Sequence, residues 1–163
     1  MMFYRVQQFI RAMTASLSYE EEQWIKVYLT PKEQELFFRL KVYEQKHCLC
    51  VAKLLDEWTS GREEMIRLGL LHDIGKIVYP LNPIEKSIVV ILHKVTNGRI
   101  KKFKRLKIIK CYYEHPMIGY EILNNQDHYE ETFLECIKAH HEKSTVRKIE
   151  SNLALLQKAD NLC

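Results

Sequence analysis

Glycine and proline are scarce, with five and four among 163 residues. A fold made of many short strands needs a turn every roughly 8–12 residues, and turns draw on those two residue types. This chain has too few for an all-β architecture, and helical spacing recurs in its place. Phe3, Val6, Ile10 and Met13 fall on one face of a first helix. Thr30-Pro31-Lys32-Glu33 reads as a helix start: an N-cap threonine, proline in the first turn, and a glutamate that reaches back. Tyr43, His47, Val51, Leu54 and Trp58 line the next helix, which stops near Ser60-Gly61. Met65, Gly69, His72, Asp73 and Lys76 share a face of another. Residues 78–84 read as a loop, Ile88–Leu92 as part of a buried helix, and Asn97-Gly98 as its break. His115 precedes proline, which predicts a position at a helix mouth. Phe133, Ile137, His140 and His141 follow helical spacing, as do Ile149, Leu153, Leu156 and Asp160. No repeat, linker or composition shift divides the chain, so the expectation is one all-α domain over 1–163.

Apolar residues make up 47% and charged residues 28%, a composition that folds rather than stays disordered. No apolar run approaches the roughly 20 residues of a spanning helix, and the N-terminus lacks a signal-peptide core. A cytoplasmic protein with no membrane contact is expected. The five cysteines, at 48, 50, 111, 136 and 163, include no C-x-x-C pair and are read as reduced, small hydrophobes, with metal or redox use as the alternative. A net charge of +4 is too mild for a dedicated nucleic-acid binder.

Seven histidines stand at 47, 72, 93, 115, 128, 140 and 141. Five of them, with Asp73 and Asp160, lie on or beside core-facing helical stripes. A single buried histidine is most often satisfied by ordinary hydrogen bonds. Five imidazoles and two carboxylates in one small core would leave many desolvated polar atoms unmatched without a cation. Imidazole nitrogen with carboxylate oxygen is a ligand set for zinc, manganese or iron. His93 and His128 have no place in the constellation and are read as structural.

The stretch Leu70-Leu71-His72-Asp73-Ile74-Gly75-Lys76 contains an H-D-I-G motif. With His47 before it, and His115-Pro-x-x-Gly119, His140-His141-Glu142 and Lys158-Ala159-Asp160 after it, the chain resembles the HD-domain superfamily of metal-dependent phosphohydrolases. The likeness spans about 36–163 and leaves 1–35 as an N-terminal helical extension that either caps the domain or presents a dimer surface. The nearest branch is HD-GYP, but Ser144-Thr145-Val146-Arg147 stands where D-G-x-G-Y-P would follow. Cyclic di-GMP cleavage is therefore not expected. Tyr43 occupies the place of a metal-binding glutamate in trinuclear members, so a third metal is not expected either.

The resemblance implies an HD-domain-like helical bundle with two divalent transition-metal ions, iron or manganese first, with zinc, nickel or cobalt as alternatives. His47, His72, Asp73 and Asp160 would hold one; His115, His140 and His141 the other, with Asp73 bridging. Two metals about 3.5–4 Å apart can share a hydroxide that attacks phosphorus. Lys76, on the same face as Asp73, would then meet charge on the phosphoryl group. Its competing role is that of a lysine at a helix end, stabilised by the helix dipole. Glu142, rotated off that face, is read as solvated or as support for a ligand.

The expected activity is hydrolysis of a nucleotide or other small phosphate ester. The alternatives are a di-iron oxygenase on the same scaffold and a non-catalytic metal-containing sensing module. Arg99, Lys101, Lys102, Lys104, Arg105 and Lys107 place six cations in nine residues. Interleaved Ile100, Phe103 and Leu106 fit a helix with one face to the core. The run reads as a solvated basic face or as a phosphate-attracting rim; nucleic-acid binding is not expected, because no recognised binding module accompanies it.

Overall fold

The computed structural model describes residues 15–103, 105–126, 128–142 and 147–163, and for 147–150 the backbone alone. The stripe Phe3, Val6, Ile10 and Met13 lies outside the described residues. Among the described residues there are eight α-helices, two short 3-10 turns and no strand.

Local chemistry sets the helix starts. Helix α1 (Tyr19–Tyr28) opens on Ser18, whose hydroxyl accepts from the Glu21 amide while Glu21 accepts from Ser18. Thr30 and Glu33 make the same reciprocal cap for α2 (Pro31–Phe37), with Pro31 in the first turn as its missing N–H permits. Helix α3 (Val42–Thr59) ends where Ser60 and Gly61 turn left-handed, at φ 53° and 81°. It buries Cys48, Leu49, Val51, Ala52 and Leu55.

Helix α4 (Glu63–Leu71) is covered on nearly all sides: Met65, Ile66, Leu68, Gly69, Leu70 and Leu71 are buried. It lies so close to α3 that a Cβ on Gly69 would stand 2.7 Å from Ala52 Cα. Helices α6 (Lys107–Asn124), α7 (Glu131–Ala139) and α8 (Arg147–Leu162) complete the bundle, with α8 packed on α3 and α7. Ile25 of α1, Leu29 just after it and Phe37 of α2 are part of the same core.

A second, smaller core lies to one side. Leu81, Val89, Ile100, Ile109 and Cys111 are buried together, under α5 (Pro83–Val95) and the N-terminal half of α6. Asn82 and Glu85 cap α5 reciprocally, so the helix begins at Pro83, inside the stretch 78–84 read as a loop. Asn97 and Gly98 turn left-handed behind it, at the break their sequence predicts.

Tertiary packing corrects five of the sequence expectations. The face drawn from Met65 to Lys76 is not one helix: α4 stops at Leu71 and the chain tightens into a 3-10 turn over Ile74–Ile77. Ile88–Leu92 is helical, but Ile88 and Ile91 face outward and only Val89 is buried within α5. His115 is not at a helix mouth. It sits within α6, which runs straight through Pro116, because packing against the Ile74–Ile77 turn outweighs one lost ladder bond.

The basic run is not a single amphipathic helix: Arg99–Lys102 form a 3-10 turn, and Phe103 and Leu106 are exposed. Finally, Cys50 and Cys163 are joined as a disulfide, so these two are not reduced, while Cys48, Cys111 and Cys136 are free and buried. The packing of α8 on α3 brings together two thiols that lie 113 residues apart.

Candidate metal centre

Five chain segments deliver their polar side chains to one point. His47 comes from α3, His72 and Asp73 from the end of α4, His115 from the middle of α6, His140 and His141 from the end of α7, and Asp160 from α8. His72, Asp73, His115 and His140 are buried, each at 2% exposure or less. Burial of four such groups demands that each atom have a partner.

The ring nitrogens are sorted by the backbone. His72 Nδ1 donates to the Gly69 carbonyl (2.8 Å), His115 Nδ1 to Cys111 (2.7 Å) and His140 Nδ1 to Ile137 (2.5 Å). A carbonyl only accepts, so each Nδ1 carries a proton and, in the neutral ring, each Nε2 presents a lone pair. Those lone pairs converge. His115 Nε2 and His140 Nε2 are 3.2 Å apart, and His115 Nε2 is 3.2 Å from Asp73 Oδ1. Asp73 Oδ1 and His72 Nε2 are both buried without a hydrogen-bond donor or acceptor. Electron-rich atoms facing one another, two of them orphaned, fit a cation.

Asp73 has one oxygen on each side of the cluster. Oδ1 faces His115 (3.2 Å) and His140 (3.7 Å); Oδ2 faces His72 (3.5 Å) and His47 (3.7 Å). Donor atoms of Asp73, His115, His140 and His141 lie within 4.8 Å of one another, as do those of His47, His72 and Asp73. Asp160 Oδ1 accepts from His47 Nε2 (2.9 Å) and lies 3.7 Å from His72 Nε2. All seven residues expected to be ligands are thus brought together.

Electrostatics follow from this crowding. Burial pushes the Asp73 carboxyl up, but Lys76 and His72 outweigh it and hold it well below its ordinary range. Burial lowers His115 to about 4, and burial with the neighbouring His140 and His115 lowers His141 to about 3. His72 is pulled the other way: burial opposes its charging, yet Asp73 raises it well above the usual value.

Lys76 is half-buried beside the cluster. Its ammonium donates to Asp73 Oδ2 (2.5 Å) and Glu44 Oε2 (3.1 Å), and Lys86 closes on Glu44 at 3.0 Å. Sequence reasoning stopped at Tyr43, whose hydroxyl donates to the Leu81 carbonyl, and missed Glu44. The signal was available, since Glu44 precedes His47 by three residues and so shares its helix face. Burial pushes its carboxyl up, but the two lysines dominate and bring it to about 2.

Gln157 was missed as well. Its amide donates to the carbonyls of Ala139 (3.4 Å) and Glu142 (2.7 Å), so it brackets the His140-His141 pair. His93 and His128 stand outside the cluster, on the Tyr113 hydroxyl and the Gln126 carbonyl. Glu142 is exposed and lines an open cleft of about 290 Å³ with His140, His141, Gln157, Asp160 and Asn161.

The HD domain, as a family, matches residues 45–163. The chain belongs to the HD-domain family. No curated protein and no solved structure matches it. Membership points to metal-dependent hydrolase chemistry, and in this HD domain the His/Asp cluster supplies donors for a divalent metal. Among the described residues, no helix is long and apolar enough to cross a membrane.

Proposed function

We propose that this HD domain is a metal-dependent phosphohydrolase that uses two divalent transition-metal ions to hydrolyse a nucleotide or another small phosphate ester. One observation carries the reading: Asp73 turns each of its two oxygens towards a different set of histidines. His47, His72, Asp160 and Asp73 Oδ2 would hold one ion; His115, His140, His141 and Asp73 Oδ1 the other. When bound, the metals supply Lewis acidity that polarises a phosphoryl oxygen and favours ionisation of water near neutral pH.

The chain's own groups do the rest. The backbone carbonyls at Gly69, Cys111 and Ile137 orient three imidazoles before any ligand arrives. Lys76 has three ammonium protons, two of them directed at Asp73 and Glu44. The third is free to meet a phosphoryl oxygen as negative charge grows on it. The cleft beside His140, His141 and Asp160 admits the ester, and the buried side of the cluster excludes bulk water.

The test is metal analysis of protein purified without added metal or chelator, with Asp73→Ala alongside. About two ions per chain, lost in the variant, together with cleavage of p-nitrophenyl phosphate mono- or diesters under iron or manganese, support the proposal. Metal without cleavage of any ester would leave a binding module, and oxygen-dependent turnover with iron would mark an oxygenase. An absence of metal even after reconstitution would overturn the site itself.

A further inference from the structure

Residues 86–113 hold nine of the chain's 25 lysines and arginines and none of its 21 acids. The cations are Lys86, Lys94, Arg99, Lys101, Lys102, Lys104, Arg105, Lys107 and Lys110. A chain with a net charge of only +4 therefore concentrates its positive charge in one segment, and its remainder is net negative. That segment is also one piece of structure: α5, the Arg99–Lys102 turn and the start of α6, folded over the smaller core.

Its outer surface is apolar where a solvated basic face would be polar. Ile84, Ile88, Ile91 and Val95 follow a 4-3-4 spacing along α5, and all four are exposed, Val95 at 75%. The spacing puts them in a single stripe. Two tight turns beyond Val95, Phe103 is 64% and Leu106 51% exposed. They lie among Arg99, Lys101, Lys102, Arg105 and Lys107, every one of them exposed. Half of the exposed large hydrophobic residues among the described residues fall between 84 and 106. Large exposed apolar groups concentrated in one segment point to a contact surface.

We infer that this lobe binds an anionic lipid surface from one side, with the cations drawing it to the headgroups and Phe103, Leu106 and the α5 stripe entering the boundary. Charge complementarity selects an anionic partner, and the aliphatic side chains select lipid over nucleic acid. Phosphate backbones attract lysine and arginine but offer isoleucine and valine nothing to bury against. The sequence expectation of no membrane contact rested on the lack of a spanning segment. Interfacial binding needs no such segment: α5, at 13 residues, lies in the plane of the surface instead of crossing it. The inference is independent of the hydrolytic activity proposed above.

The experiment is sedimentation of the full chain with phosphatidylcholine vesicles, with and without phosphatidylglycerol. Two variants of exposed side chains accompany it, Lys101→Gln/Lys102→Gln/Arg105→Gln and Phe103→Ser/Leu106→Ser. The expected result is binding to the anionic vesicles alone, weakened by salt, about 100-fold weaker in the charge variant and at least about tenfold weaker in the apolar one. Circular dichroism of both variants shows that the helices are intact. Full retention of binding by Phe103→Ser/Leu106→Ser would identify a general polyanion surface and overturn the inference. So would an absence of sedimentation, whether accompanied by a shift of single-stranded RNA or by a dimer that the apolar variant dissolves.

Discussion

Gly75 lies against the backbone carbonyl of His115 so closely that a Cβ on Gly75 would stand 2.0 Å from that oxygen. The same atom would meet the Gly119 amide nitrogen at 2.6 Å. Backbone meets backbone here, and this contact seats the Ile74–Ile77 turn on α6, with Asp73 just ahead of the turn and His115 on the helix. The glycine of the H-D-I-G motif is thus required for close approach, which sets how far Asp73 stands from the α6 histidine.

Gly75→Ala is expected to cost about 3 kcal/mol, because neither neighbour is a flexible side chain that can move aside. For a chain of this length that lowers Tm by roughly 6–12 °C. Thermal unfolding checks the stability, and metal analysis checks the site, since His115 must move away from Asp73 to admit the methyl group. An unchanged Tm would mean that the turn can slide along α6 freely.

Buried Glu44 and half-buried Lys76 form an ion pair, with Lys86 on the other side of the glutamate and Asp73 on the other side of the lysine. Glu44→Gln and Lys76→Met should each destabilise by about 1–3 kcal/mol, since each removes one of the two opposite charges that face a desolvated group. The double variant should cost less than the two together, by about 1–2 kcal/mol. Urea unfolding of all four proteins gives that coupling; strict additivity would mean that the two groups act separately.

Glu33 is fully buried and is met by Arg67 Nη2 (2.6 Å), the Tyr129 hydroxyl (2.6 Å) and the Thr30 amide (2.7 Å). Burial pushes its carboxyl up, but the hydrogen bonds from Tyr129 and Arg67 prevail and hold it below its ordinary 4.5. A carboxyl lowered by folding adds stability that is complete above pH 4.5, falls away as the pH drops below it, and is gone beneath the folded value. The stability gap between wild type and Glu33→Gln should therefore be constant from pH 6 to 8 and narrow below pH 4.5. A gap that instead widened in acid would reverse the assigned direction.

Cys50 follows His47 on α3 by three residues, and Cys163 follows Asp160 by three at the end of α8. Their disulfide ties together the two helices whose side chains meet at 2.9 Å. A reductant should destabilise the protein by about 2–4 kcal/mol, as the 113-residue closure is lost from the unfolded state. Cys163→Ser should unfold at the reduced protein's temperature whether or not reductant is present. Identical wild-type melting curves with and without reductant would sink this expectation.

Much of the candidate site was legible because its ligand types recur in a fixed order along the chain. That order carried the resemblance to the HD-domain superfamily, which implied the seven ligands, and the structure brings their side chains together. What the order did not show was support. Glu44 and Gln157 act through partners 42 and 18 residues away, Lys86 and the Ala139 carbonyl, and nothing beside them in the chain marks those contacts.

Where a helix boundary rests on a local cap or a left-handed turn, it was determined by the sequence alone, because such devices are made within one turn. Thr30 needs only Glu33, Asn82 only Glu85, and the α3 end only Ser60 and Gly61. The all-α class follows equally from local spacing. Tertiary structure decided the rest: that His115 lies inside a helix despite Pro116, that Cys50 finds Cys163, and that Ile88 and Ile91 face outward although their residue types suit a core. Each depends on which neighbour covers which face. Burial is a relation between elements distant in the chain, and periodicity within one element cannot report it.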